Sequence, residues 1–227
     1  MEIHTIENLR ISENNVLVKL PDTYRMMLNN EIDIRGISII TKYEPSYYAP
    51  RYGTVAVIPN RLKFGIGGMS WKTDIEIQVG DTVWFNYLVC LMALGRLLNP
   101  VYRSDETRYY TCGEDIYVLL PYESLIVAMR EHEIICLNSY VIGKQVTKKV
   151  SDVLKVNDEK TGWVELLHVG EPVSEYFTET VEIEDVEVGD TVLINKLLAE
   201  KLENGMVNHF CDEEVLFFQR RQIYCKA

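Results

Sequence analysis

The sequence has no long apolar run. Its longest, residues 88–98, is too short to span a bilayer and contains Arg96, so no transmembrane helix and no membrane partner are expected. Positive charge is also scarce. With 23 Lys and Arg against 34 Asp and Glu, the net charge is −11. Nucleic-acid binders usually carry a basic footprint, so no nucleic-acid partner is expected. There is no Cys-x-x-Cys pair. The five cysteines (Cys90, Cys112, Cys136, Cys211 and Cys225) are scattered, which leaves no redox or zinc motif and points to buried thiols in a reducing cytosol. The four histidines (His4, His132, His168 and His209) form neither His-x-x-His nor His-Glu-x-x-His. The glycine-rich FGIGGMS at residues 64–70 has no Lys-Ser/Thr and no following helix, so it is not a phosphate-binding loop. No catalytic residue, metal ligand or cofactor is expected, and the protein is not read as an enzyme. Residues 1–10, MEIHTIENLR, lack the basic start and apolar run of a signal peptide, and a cytoplasmic protein is expected.

What the chain does have is a duplication. The pentapeptide Val-Gly-Asp-Thr-Val begins at Val79 and again at Val188, an offset of 109. The same offset pairs Gly53 with Gly162, Val55 with Val164 and Val57 with Leu166, so no gap is expected from Gly53 to Asn86. Downstream the offset falls by about ten, pairing Glu114 with Glu213 and Leu119 with Phe218. Upstream it rises, and NNVLVKL at Asn14 is set against HEIICLN at His132. Each unit is about 100 residues, which suits a tandem domain better than a solenoid repeat.

Each copy reads as β. Short β-branched runs (NVLVKL, GTVAVI, DTVWFNYLV and IYVLL in the first copy; EIICL, GWVELL, DTVLINKLL and EVLFFQ in the second) are bounded by Gly, Asp, Asn and Pro. Such spacing indicates a barrel or sandwich. Gly-Asp ahead of a strand is turn chemistry, because Gly accepts positive φ and Asp bonds nearby amides. Only residues 198–205, LAEKLENG, look helical. The apolar LVCLMALGRLLNP, residues 88–100, reads as core or domain interface, with a partner surface as the alternative. The acidic EIEDVEVGD, residues 182–190, reads as a solvated edge. Tyr47-Tyr48 and Tyr109-Tyr110 are candidate interface anchors or covers for a barrel end.

The order is a strand, a long loop, a Gly-x-Val strand, a variable tip, a Val-Gly-Asp-x-Val strand, a Glu-Glu-Val-Leu strand and an Ile-containing close. Taken twice, it resembles the GroES co-chaperonins, the β-barrel lids of chaperonin rings. The resemblance is carried by TGWVELLHVGEP, VEVGDTVLIN and DEEVLFFQRRQI in the second copy, and by NNVLVKL, YGTVAVIPN and VGDTVWFN in the first. It implies a mainly β chain of two tandem GroES-like β-barrels, at residues 10–130 and 131–227. It also implies a homo-oligomeric ring and a chaperonin ring as partner. In that family a mobile loop after the first strand docks through a Gly-Ile-x-Leu-like segment. The corresponding loop here is residues 21–52, and its docking segment would be Gly36, Ile37, Ser38, Ile39 and Ile40. Burying Ile37 and Ile39 would yield roughly 3–6 kcal/mol before ordering costs. The reading of GISII as an ordinary packed strand stays open. The loop of the second copy, residues 143–161, has no Gly-Ile segment; its one adjacent apolar pair is Val153 and Leu154. An alternative of a different class is a structural ring or adapter subunit, for instance of a virus particle assembled in the cytoplasm, with other subunits as partners.

Overall fold

The computed structural model describes the chain except for residues 1–5, 7–8, 23–30, 35–36, 41–50, 99–107, 149–158, 174, 177–184, 195–207 and 211–212. The described residues are mainly β and divide into two units, Met1–Ile135 and Cys136–Ala227. The first contains β1 (Asn15–Lys19), β2 (Glu31–Ile34), β3 (Ile37–Ile40), β4 (Tyr52–Val57), β5 (Trp71–Lys72), β6 (Thr82–Phe85), α1 (Tyr87–Leu98), β7 (Tyr109–Cys112), β8 (Asp115–Pro121), β9 (Leu125–Arg130) and all but the last residue of β10 (Glu133–Cys136). The second contains β11 (Tyr140–Lys148), β12 (Glu159–Val169), β13 (Glu175–Tyr176), β14 (Thr191–Ile194), β15 (Asn208–Phe210), β16 (Glu213–Gln219) and β17 (Ile223–Lys226).

The main sheet of the first unit runs β10-β9-β6-β4-β1-β8-β7, and that of the second β17-β14-β12-β11-β16-β15. Six strands thus occur in the same order in both units, with β10 extra in the first. Among the described residues, no ladder joins the two ends of either sheet. Alternating apolar residues fill each interior. Val16, Val18, Val55, Val83, Phe85, Val118 and Leu120 are buried in the first unit. Val141, Val164, Leu166, Val192, Ile194, Leu216 and Phe218 form one cluster in the second.

Strand pairing refines the duplication. The ladder Leu17↔Val57, Val18↔Val55, with a bulge between, matches Ile142↔His168, Gly143↔Leu166, with the same bulge. The first strand therefore repeats at an offset of 125, and β4 repeats as β12 at 111. HEIICLN is not the counterpart of NNVLVKL: residues 133–136 form β10, and β11 begins at Tyr140. The offset of 109 holds for β6 and β14, where Val83↔Ala128 matches Val192↔Lys226, again beside a shared bulge. Gly53 thus corresponds to Val164 rather than Gly162, and a two-residue gap separates the strands. On a pleat of period two, a slip of two keeps every side chain on its own face, so apolar alternation cannot reveal it. The last pair is offset by 98, since Leu17↔Leu119 matches Ile142↔Phe217. Leu119 therefore corresponds to Phe217, one residue from the expected Phe218.

The repeated pentapeptide is a turn in both units. Gly80 and Gly189 take φ of 98 and 92, the left-handed region that favours glycine. Asp81 Oδ2 accepts from the Gln78 amide at 2.8 Å, and Asp190 Oδ2 from the Glu187 amide at 2.7 Å. Thr82 and Thr191 then start β6 and β14.

The expected strand DTVWFNYLV ends early. Asn86 Oδ1 accepts from the Leu88 amide at 3.0 Å, an N-cap that starts α1. Cys90, Ala93 and Leu94 are buried at helical spacing, while Leu88 and Met92 face outward. The expected helix at residues 198–205 lies outside the described residues.

Candidate functional site

The expected docking segment is drawn into a hairpin. Between β1 and β4, β2 and β3 form their own two-stranded sheet and pair with no other described strand. The register is Glu31↔Ile40, Ile32↔Ile39, Asp33↔Ser38 and Ile34↔Ile37. Ile37, Ser38, Ile39 and Ile40 therefore make up β3, and Gly36 lies outside the described residues. Directly opposed positions in an antiparallel pair share a face, so positions 32, 34, 37 and 39 lie together, with 31, 33, 38 and 40 on the reverse. The sequence left GISII open between a docking loop and a packed strand, and the partner strand EIDI was missed. The signal was in EIDIRGISII: isoleucine alternates on both sides of a two-residue Arg-Gly connection.

The flanks of this insertion are anchored. At its entry, Lys19 Nζ lies 2.8 Å from Asp115 Oδ2, a bond that raises the lysine pKa. At its exit, the Arg51 guanidinium sits 5.0 Å from the Tyr87 ring centroid, and burial lowers its pKa. The neighbouring Tyr52 and Trp84 rings are 5.9 Å apart. Both flanks are thus tied to β8, β6 and the start of α1. Residues 41–50, with Tyr47 and Tyr48, lie outside the described residues, whereas Tyr109 and Tyr110 belong to β7, opposite Val118 and Tyr117.

In the second unit the corresponding loop is narrower than residues 143–161. The β11–β12 ladder continues through Thr147↔Lys160 and Lys148↔Glu159, so only residues 149–158 separate the strands, and Val153 and Leu154 fall outside the described residues. Here the main sheet itself lengthens, whereas the first unit makes a separate hairpin.

The glycine-rich FGIGGMS forms a braced turn. Gly65 and Gly67 have φ of 74 and 73, and Met69 donates its amide to the Lys63 carbonyl at 2.9 Å. Asn14 grips the turn from the start of β1 by donating to the Lys63 carbonyl at 2.9 Å and accepting from the Lys63 amide at 2.6 Å. Ile66 is fully exposed at the tip, while Met69 is buried.

Of the described cysteines, Cys90 and Cys136 are buried, Cys112 is half-buried and Cys225 is exposed, so the expectation of buried thiols holds for the first two alone. Burial raises the Cys90 thiol pKa well above its usual range. Among the described residues, no three His, Cys, Asp or Glu side chains come together as a metal group, and no helix is long and apolar enough to cross a membrane. Comparison with protein-family models and with curated proteins finds no match for the chain.

Proposed function

We propose that the chain is a ring-forming lid of the GroES-like co-chaperonin type, with two tandem GroES-like barrels, that docks on a chaperonin ring through the first unit. The observation that carries this reading is the β2–β3 hairpin. It is inserted between β1 and β4, pairs only with itself among the described strands, and places isoleucine at positions 32, 34, 37 and 39 of one face. A hairpin free of the main sheet can offer such a face to an apolar groove without dismantling its own core. Several weak contacts, one from each subunit of a ring, would combine by multivalency.

The test is the double substitution Ile37→Ser with Ile39→Ser in the full chain. Binding to an immobilised chaperonin ring should fall at least about tenfold, a loss of about 1.4 kcal/mol or more. The melting temperature should stay within about 2 °C, because the hairpin lies outside the main ladders. Were the isoleucines packed in the core, each would cost roughly 2–5 kcal/mol and melting would drop by many degrees. That result, or undiminished binding, would overturn the docking assignment. A second reading, a structural ring or adapter subunit of a larger assembly such as a virus particle, is favoured by one fact. Among the described residues, only the first unit has the isoleucine hairpin, while the second lengthens its main ladder through charged residues. A wild-type chain that assembles but does not bind chaperonin would select this reading.

A further inference from the structure

Helix α1 buries one side and leaves the other in water. Cys90, Ala93 and Leu94 are buried, and the helix packs on β8. Leu88 and Met92, one turn apart on the outer side, are 50% and 71% exposed. Neither the core nor the cap requires an apolar residue at those two positions, since the capping bond comes from the Asn86 side chain. The pair lies at the root of the β2–β3 hairpin. Where the chain returns from the hairpin, the Arg51 carbonyl accepts from the Phe85 amide at 2.9 Å. The Arg51 guanidinium lies over the ring of Tyr87, the first residue of α1. Where the chain leaves for the hairpin, Lys19 is tied to Asp115 on β8, the strand on which α1 packs. Both roots of the hairpin are therefore fixed to the elements that hold α1.

Resting on the hairpin as the docking element, we propose that Leu88 and Met92 are a second contact for the same ring partner, met by an apolar surface beside the groove that takes the hairpin. Size and tethering identify the occupant. Two exposed side chains fall far short of the roughly 800 Å² per partner of a stable interface, so they do not hold a second copy or a free protein by themselves. A contact that small counts only where another bond already keeps the partner near. The hairpin supplies that bond. Residues 41–50 separate Ile40 from Arg51, and a fully extended link of that length spans at most roughly 40 Å. A partner seated on the hairpin is held within that reach of α1, at an effective concentration that a free partner lacks. Met92 suits the contact, because a flexible thioether chain fits an apolar surface without a shaped pocket. The second contact also fixes orientation: a partner held at one point swings, and a partner held at two does not.

The experiment is Leu88→Gln with Met92→Gln in the full chain, glutamine being a good helix former, set beside Ile37→Ser with Ile39→Ser. Binding to an immobilised chaperonin ring, melting and sedimentation are measured for each. The helix variant should bind roughly five- to tenfold more weakly, with melting and assembly unchanged. The swap Leu88→Met with Met92→Leu keeps the face apolar and should bind as the wild type does. Full binding by the helix variant, while the hairpin variant loses it, would overturn this contact and leave the hairpin standing. Full binding by the hairpin variant would overturn the docking element and this contact with it, as would a wild type that binds no chaperonin. A helix variant that melts many degrees lower would place Leu88 and Met92 in the core, and one that falls apart in sedimentation would place them between copies. Either result, or a swap as weak as the glutamine variant, would overturn the proposal.

Discussion

The two units solve one packing problem in opposite ways. In the first, Val18 on β1 lies diagonally across from Gly53 on β4; a Cβ on Gly53 would sit 2.6 Å from Val18 Cγ1. In the second, the offsets of 125 and 111 place Gly143 where Val18 stands and Val164 where Gly53 stands. A Cβ on Gly143 would sit 2.3 Å from Val164 Cγ1. One branched and one absent side chain fill the site in each unit, on exchanged strands. Volume at the site is held constant, while the identity at either position is free. The difference is that Gly53 also faces backbone, the Lys19 carbonyl oxygen at 2.5 Å, whereas the backbone nearest Gly143 is the Glu165 oxygen at 3.0 Å.

The turn before β6 and β14 shows the same economy. Asp81 is buried and bonds Arg130 through both oxygens, Nε to Oδ1 at 3.0 Å and Nη2 to Oδ2 at 2.9 Å. Asp190 is half-buried and meets Lys226 at 2.8 Å. Each cation also reaches the carbonyl of the equivalent residue, Glu76 for Arg130 and Asp185 for Lys226, at 2.9 Å. Arg130 stands two residues beyond the counterpart of Lys226 in register, so the clamp is repeated although its residue is not. Planar bidentate pairing holds the first turn more firmly than a single ammonium holds the second.

The sharpest way to break the comparison is a pair of double-mutant cycles on the exchanged glycines. Gly53→Ala should cost about 3 kcal/mol or more, and Val18→Ala should not relieve it, because the clash with the Lys19 backbone remains. Gly143→Ala should cost roughly 1–3 kcal/mol, and Val164→Ala should recover much of that by removing the clashing Cγ1. Denaturant unfolding of the four single and two double variants gives the coupling; equal rescue in both units would refute the asymmetry. Next in size is the aspartate clamp. Asp81→Ala should lower the melting temperature by roughly 5–10 °C, and Asp190→Ala by roughly 1–3 °C. Differential scanning calorimetry checks the ranking, and a larger drop for Asp190→Ala would reverse it.

The smallest effect concerns acid. His168 occupies the place that Val57 holds in the first unit, and burial lowers its pKa from the ordinary 6.5. Above that value the imidazole is neutral in both states and pH has no effect through it. Below it the unfolded chain takes up a proton that the folded chain resists, so stability falls as pH falls. His168→Val should flatten this acid loss between pH 6.5 and the lower folded value, and the change should appear in amide exchange of β12 rather than β4. An unchanged slope would show that the ring's burial is immaterial.

Local chemistry was legible where it depends on neighbours in sequence. Gly80-Asp81 and Gly189-Asp190 read as turns because positive φ and an aspartate bonding back to an amide are local events. The alternation of β1, β4, β12 and β14 was legible for the same reason. The helix at Tyr87–Leu98 was not, since LVCLMALG is apolar enough for either element, and the Asn86 cap with an outer face of Leu88 and Met92 decided it. GISII was legible as a candidate docking segment, but its pairing with EIDI was not, because a ladder joins residues across a turn that composition alone does not mark.

By itself the sequence determined that the chain is duplicated, mainly β, acidic and punctuated by two Gly-Asp turns. Composition, local dihedral preference and side-chain period are properties of the chain read in order. Only the tertiary structure decided the register: 111 for β4 and 109 for β6 in place of one offset from Gly53 to Asn86, 125 and 98 on either side, and Val18 with Gly53 exchanged for Gly143 with Val164. The physical reason is that a ladder is joined by hydrogen bonds between residues far apart in sequence. A slip of two residues leaves every apolar side chain on its face, so it is settled only by which backbone groups meet and which volumes fit between them.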